Sequence, residues 1–222
     1  MGKEYTKAID MFVEEQRVFI NALKSVDNQD KVIVIHGTGS PNGPPTPQEV
    51  AMYFASNKDM VSSHFIIGTD GTIVQCVSLN DGAAANCCLE VNHDKFWDEY
   101  ANKYKNLNYN TISIEHCNNV DNSLSPTKAQ LDASIELVRW LRTKYGIDGT
   151  RIKTHASLDP DSRKNCPGNF PMEQLINDSA PIPVPVPKKK TIKDVQVELQ
   201  QVQNELTQIQ SDIIQINQPT VI

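Results

Sequence analysis

The stretch RIKTHASLDPDSRKNCPG, residues 151–168, begins as a short strand over 151–154 and delivers His155 at the strand's end. It continues as a loop dense in turn residues (Asp159, Pro160, Asp161, Ser162, Pro167 and Gly168), which can fold the chain back on itself. His155, Lys164 and Cys166 therefore share one loop. An imidazole nitrogen and a sulfur brought together in this way suit zinc, which takes tetrahedral sites built from His and Cys. Two ligands do not hold a catalytic zinc, and the third is expected from VIVIHGTGS, residues 32–40. There the apolar run 32–35 reads as a buried strand, with His36 at its tip before a glycine-containing turn. His36, His155 and Cys166 would leave one tetrahedral position for water, the arrangement of a hydrolytic rather than a structural site.

The elements between these two strands read as follows. After His36 the segment TGSPNGPPTP carries four prolines and two glycines in ten residues, so the chain crosses the surface irregularly there. Thr46, Pro47 and Glu49 then form a helix start with a capping box, and the helix is expected to reach about Asn57. Residues 63–67 and 72–77 are two β-rich runs around Gly68 to Gly71, a hairpin signal. His64, within the first run, reads as a packed and hydrogen-bonded residue. Residues 81–92 are small, polar and aperiodic, a loop that can line a cleft. Phe96, Trp97, Tyr100 and Tyr104 follow at helical spacing and read as core. In NTISIEHC, residues 110–117, alternation puts Ile112, Ile114 and His116 on one face and Thr111, Ser113, Glu115 and Cys117 on the other. A strand carrying Glu115 between the strands that carry His36 and His155 would aim that carboxylate at the metal water. His116, facing the other way, reads as a core histidine. Thr127 opens the best helix in the chain and Gly146 ends it. The alternation of strands and helices gives an α/β class with a mixed central sheet flanked by helices, over residues 31–178. Ahead of it, residues 1–30 read as an N-terminal helix, amphipathic over 5–24, that braces the domain.

Composition excludes several classes. A net charge of -6, with the only basic run at 188–190, offers no stripe for nucleic acid. No apolar stretch approaches the roughly 18 residues a membrane span needs. The opening MGKEYTKAIDMFVEEQ interrupts any signal-like apolar core with acids, so the chain is expected to be made in the cytoplasm without an export segment. Five cysteines, two of them adjacent at 87 and 88, argue against a disulfide framework.

The tail has a different composition. Prolines at 181, 183, 185 and 187 predict an extended spacer within a linker over 179–190. From Ile192 to Ile216 apolar residues recur at alternating steps of three and four, a heptad seam over a helix at 191–217. Ile192, Leu199, Leu206 and Ile213 take the a positions, and β-branched Val195, Val202, Ile209 and Ile216 take d. That pattern favours a homo-oligomer of three or four chains over two. The tail has no aromatic residue to stack on sugar rings, so it reads as assembling subunits rather than gripping carbohydrate.

VIVIHGTGS, SSHFIIGTDGTIVQ, NTISIEHCN and the spacing from His155 through Lys164 to Cys166, Pro167 and Gly168 together resemble the zinc-dependent N-acetylmuramoyl-L-alanine amidases of the phage endolysin and peptidoglycan-recognition family. The resemblance covers about residues 31–175. It implies hydrolysis of the amide between N-acetylmuramic acid and the L-alanine of the stem peptide, with bacterial peptidoglycan as the partner. It implies zinc on His36, His155 and Cys166, Glu115 as general base and Lys164 stabilising the oxyanion. Some relatives place a catalytic tyrosine where this chain has Ser63, and those often lack the glutamate. The resemblance also implies action on the cell wall after release, as for a phage lysin. Two other readings stand beside it: a non-catalytic peptidoglycan-binding module, which would lack the third ligand, and an oligomeric scaffold built on the tail.

Overall fold

The computed structural model describes residues 5–10, 30–58, 61–86, 89, 92–104, 106–182 and 192–216. The chain divides into two compact units, Met1–Pro181 and Ile182–Ile222. In the first unit six strands form one mixed sheet: β1 (Ile9–Asp10), β2 (Val32–Gly37), β3 (Phe65–Ile67), β4 (Ile73–Gln75), β5 (Thr111–His116) and β6 (Ile152–Thr154), in the order β1-β4-β3-β5-β2-β6. Only β3 and β4 pair antiparallel, as the two arms of the expected hairpin, and every other neighbour is parallel. Among the described residues of this unit there are five helices: α1 (Pro47–Ser56), α2 (Phe96–Lys103), α3 (Lys128–Tyr145), α4 (His155–Leu158) and α5 (Met172–Asp178).

The two faces of the sheet are covered differently, and alternation along β2 and β5 decides how. Ile33, Ile35, Ile112 and Ile114 point to one side and pack with Ile135, Leu137, Val138 and Leu141 of α3 and Leu175 of α5. On the other side Val32 and Val34 pack with Trp97 and Tyr100 of α2, Tyr104 and Leu158. Further along that same side, Ile66 and Val74 pack against Val50, Ala51 and Phe54 of α1. Between these two patches runs a polar strip that includes Thr111, Ser113, Glu115 and His36. A parallel strand buried on both faces loses its apolar alternation, which is why residues 32–35 are all apolar and fully buried.

Local signals set the helix ends. Thr46 Oγ1 accepts from Glu49 N while the Glu49 carboxylate accepts from Thr46 N, so the capping box starts α1, and Asn57 closes it. Thr127 caps α3, and Gly146 ends that helix in the left-handed region, at φ 65°. The N-terminal segment departs from expectation. Residues 5–10, read as the start of a helix, instead turn and pair as β1 against β4, with Tyr5 and Ala8 buried in the core. A strand of two residues carries no period, so spacing alone could not separate it from a helix. The remainder of the expected helix, 11–29, lies outside the described residues.

The second unit contains α6 (Ile192–Ile216), and most of the linker, 183–190, lies outside the described residues. Ile192, Val195, Leu199, Val202, Leu206, Ile209 and Ile213 are each more than half exposed along it.

His64 generates a prediction. Its Nδ1 accepts from Ser113 N at 3.1 Å and its Nε2–H donates to Asp81 O at 3.1 Å, so the neutral ring is fully satisfied in the core. Burial drives its pKa from 6.5 down to about 3. Because the folded pKa lies below the unfolded one, this stability is present above pH 6.5 and is lost as pH falls towards 3. The loss from this residue at pH 5 should be about 2 kcal/mol. Chemical denaturation at pH 7 and pH 5 should show a smaller drop for His64→Asn than for the parent protein.

Candidate active site

His36 is the last residue but one of β2 and pairs in register with Glu115 of β5, while Thr154, the last residue of β6, pairs with Ile35. The next residue, His155, begins α4, whose first turn is capped by Thr154 Oγ1 accepting from Ser157 N. Three adjacent parallel strands thus present their C-terminal ends together, but the middle one is β2 and not, as expected, the strand that carries Glu115, which reaches the centre as His36's neighbour from the other side. The two imidazoles face each other through Nδ1, 3.0 Å apart. Cys166 reaches them from the loop: its Sγ accepts from Gly37 N at 3.3 Å and its carbonyl accepts from Ala156 N at 2.9 Å. Ligand atoms of His36, His155 and Cys166 lie within 4.8 Å of one another, so the three expected donors converge. The peptide bond between Cys166 and Pro167 is cis.

A clasp at Asn122 holds the cysteine loop. Its Nδ2 donates to Asn165 O at 2.9 Å, its Oδ1 accepts from Gly39 N at 3.0 Å, and its carbonyl accepts from Asn169 N at 3.2 Å. Both Gly37 and Gly168 are required by this packing. A Cβ on Gly168 would fall 2.0 Å from Asn122 O, and one on Gly37 2.4 Å from Asn122 Oδ1. Gly168 also sits at φ 70°.

The electrostatics suit a metal. Burial holds His36 well below its usual pKa and His155 at about 4, and the Arg163 charge pushes both further in the same direction. Both rings are therefore neutral at pH 7, with lone pairs available for coordination. Burial pushes the Cys166 thiol up to about 12, so taking a metal there requires displacing its proton. Two nitrogens and one sulfur, buried and converging, fit zinc by donor chemistry. Beside them Glu115 has a buried Oε2 without a hydrogen-bond partner, and burial raises its pKa to about 7. A cleft of about 410 Å³ opens next to this carboxylate, with Thr38, Ser40, Glu49, Tyr53 and Phe54 among its lining residues.

His64 and His116 stand apart from the donors, as expected. His116 Nδ1 bonds His36 O at 3.0 Å, and its Nε2 bonds Ser134 Oγ at 2.8 Å on the opposite face. Lys164 is exposed in the turn before Cys166. The cation whose field acts on His36, Glu115, His155 and Cys166 is its neighbour Arg163. Sequence reasoning passed over Arg163, although it adjoins Lys164 in the same basic pair. It also missed Asn122, whose positive φ of 50° is not marked by any local pattern.

Compared with known protein families, residues 27–169 match the one described as N-acetylmuramoyl-L-alanine amidase. The chain belongs to that family. Its activity is the family's hydrolysis of peptidoglycan, at the amide between N-acetylmuramic acid and L-alanine. The fold is that of PlyL, at 19% identity and a TM-score of 0.53, with 81% of this chain and 99% of that one covered. It is also that of the amidase AmiD from E. coli, solved with an anhydro-N-acetylmuramic acid peptide, at 22% identity and a TM-score of 0.51 over 68% and 58% of the two chains. The amidase LysC from Clostridium intestinale URNW is 26% identical over 68% of this chain and 89% of its own, with a TM-score of 0.47. No curated protein matches. No helix among the described residues is long and apolar enough to cross a membrane.

The purified amidase should take up about one zinc per chain and release about one proton as the Cys166 thiol ionises, a release readable in weakly buffered solution at pH 7. Cys166→Ser should lose most of the metal. A folded His36→Ala, His155→Ala double variant that keeps full zinc occupancy would place the metal elsewhere.

Proposed function

We propose that the amidase is zinc-dependent, that His36, His155 and Cys166 hold the metal, and that Glu115 is its general base. The observation that carries this reading is the convergence of three neutral donors beside a buried carboxylate without a partner. When bound, zinc supplies Lewis acidity, which polarises a carbonyl and lowers the pKa of a water towards about 7.

The chain's own groups account for the proton traffic. Glu115 takes the proton of the attacking water and returns it to the nitrogen of L-alanine as the C–N bond breaks, leaving a lactyl carboxylate and a free amine. With its pKa near 7, the carboxyl can do both at neutral pH. Charge that builds on the carbonyl oxygen is assigned to a cation of the 163–164 pair. Lys164 is the position the family resemblance implies, while the field of Arg163 on all four site groups favours the neighbour. The cleft beside Glu115 gives the glycan and peptide a place to lie, with Tyr53, 54% exposed, as its aromatic wall. A module that only binds peptidoglycan has no use for a full ligand set next to an ionisable buried glutamate. The chain would reach its substrate as a phage lysin does, after release from the cytoplasm to the cell wall.

The tail is proposed to assemble the enzyme. The seam of α6 is exposed from Ile192 to Ile213, and an isolated amphipathic helix gains most of its stability by packing that face. The β-branched d residues point to a parallel trimer or tetramer. Linking catalytic domains raises their effective concentration at a polymeric wall.

Glu115→Gln should keep fold and metal and lower turnover by about 10²- to 10⁴-fold. Digests by the parent enzyme should show new L-alanine amino termini and no new reducing sugar ends, and the appearance of reducing ends would make it a glycosidase. Of Lys164→Met and Arg163→Met, the variant with the larger loss of kcat identifies the oxyanion partner. Light scattering should give the full chain a mass of three or four protomers, and Leu206→Glu, which buries a charge in every seam, should give monomers. A monomeric parent at micromolar concentration would end the coiled-coil reading.

A further inference from the structure

Asn86 lies in the polar loop that follows β4, and it is buried among groups that dictate which way its amide points. Its backbone N–H donates to Asn108 Oδ1 at 2.7 Å. Its Nδ2 gives one proton to Thr111 Oγ1 at 2.9 Å and the other to Ser113 Oγ at 3.0 Å. The Thr111 hydroxyl already donates its own proton to Leu107 O at 2.9 Å, so towards Asn86 it can only accept. That fixes the amide against a flip and leaves Oδ1 facing away from β5's hydroxyls.

Two of the buried polar atoms without a regular hydrogen bond are Asn86 Oδ1 and His36 Nε2. They share one place on the sheet: Ser113, which holds the Asn86 amide, lies opposite Val34, so His36, two residues further along β2, is its diagonal neighbour on the same face, and a hydrogen bond from the Asn86 side chain works against burial on the His36 ring. The other nitrogen of that ring, Nδ1, is the one that meets His155. An imidazole that coordinates a metal through one nitrogen donates the N–H of the other to an acceptor, which fixes both its tautomer and its orientation.

We propose that Asn86 is a positioning residue for the metal centre: its Oδ1 accepts the Nε2–H of His36, which holds that ring in the tautomer whose Nδ1 lone pair is free for zinc. This rests on the zinc reading of the same site. The 3.0 Å contact between the two Nδ1 atoms needs one proton, and with His36 protonated at Nε2 the donor is His155. Thr111 and Ser113 orient Asn86, and Asn86 orients His36, so two hydroxyls at the start of β5 act on the ligand through one amide.

The test uses ring-nitrogen NMR shifts of His36 in the zinc-free full-length protein, together with zinc affinity from competition with a chromophoric chelator. The parent should carry its His36 proton on Nε2. Asn86→Ala should admit the Nδ1–H form and weaken zinc binding by about 10- to 100-fold. Asn86→Asp, which keeps an acceptor oxygen, should keep the parent's tautomer and bind more tightly than the alanine variant. The proposal is overturned by a parent ring protonated at Nδ1, or by Asn86→Ala binding zinc within about twofold of the parent with its tautomer unchanged. If the alanine variant fails to fold, Asn86→Asp decides alone: a folded aspartate variant that has lost both the tautomer and the affinity overturns the proposal. A parent that takes up no zinc defeats the zinc reading instead, while its nitrogen shifts still report whether Asn86 sets the tautomer.

Discussion

The register of β2 against β5 is the constraint on which the rest of the centre depends. Ile33 opposite Ile112 and Ile35 opposite Ile114 are locked by the apolar layer beneath them, and this lock brings His36 opposite Glu115. A slip of one residue along either strand would turn its functional side chain into the layer covered by α3, because successive side chains alternate between faces. The same alternation makes the upper face polar where the lower one is apolar. The hydrophobic core therefore sets the distance between His36 and Glu115, the proposed ligand and the proposed proton acceptor, without touching either.

From that register the other parts follow in order. β6 pairs on the far side of β2 and stops one residue short of His155, and α4 starts there because Thr154 caps it. The loop that carries Cys166 then returns over the end of β2. Its position is secured by hydrogen bonds to the Gly37 and Ala156 amides and by the Asn122 clasp, contacts in which backbone groups predominate. Burial does the electrostatic work once the groups are assembled: it keeps the imidazoles neutral, keeps the thiol protonated and raises the glutamate towards neutrality.

What could be read from the sequence is what has a short-range signature. The strand at 32–37 opens on four β-branched residues, Glu115 follows from a period of two, and α1 and α3 announce themselves by their caps. The convergence of the three proposed donors was legible because one stands near the end of β2, one follows β6 and the third shares a turn-rich loop with the second. The parts that were not legible depend on contacts distant along the chain. Asn122 meets partners 83 and 43 residues away, and Asn86 meets one 27 residues away. Nothing near either asparagine distinguishes it from an ordinary loop residue. The misread segment at 5–10 fails for a related reason: its partner strand, more than 60 residues on, makes it a strand, and its own spacing does not.

The Asn122 clasp also separates two jobs that many loops must perform together. It grips the cysteine loop at Asn165 and Asn169, so residues 161–164, which are exposed, contribute no side chain to it. The side chains of Asp161 and Ser162 can change in size or charge while the sulfur stays in place, whereas the 163–164 pair is held by the part proposed for it in the reaction. A stretch of surface at the rim of the centre is thereby released to diverge, and wall chemistries that differ from one bacterium to another can be met by altering the rim without rebuilding the donor set.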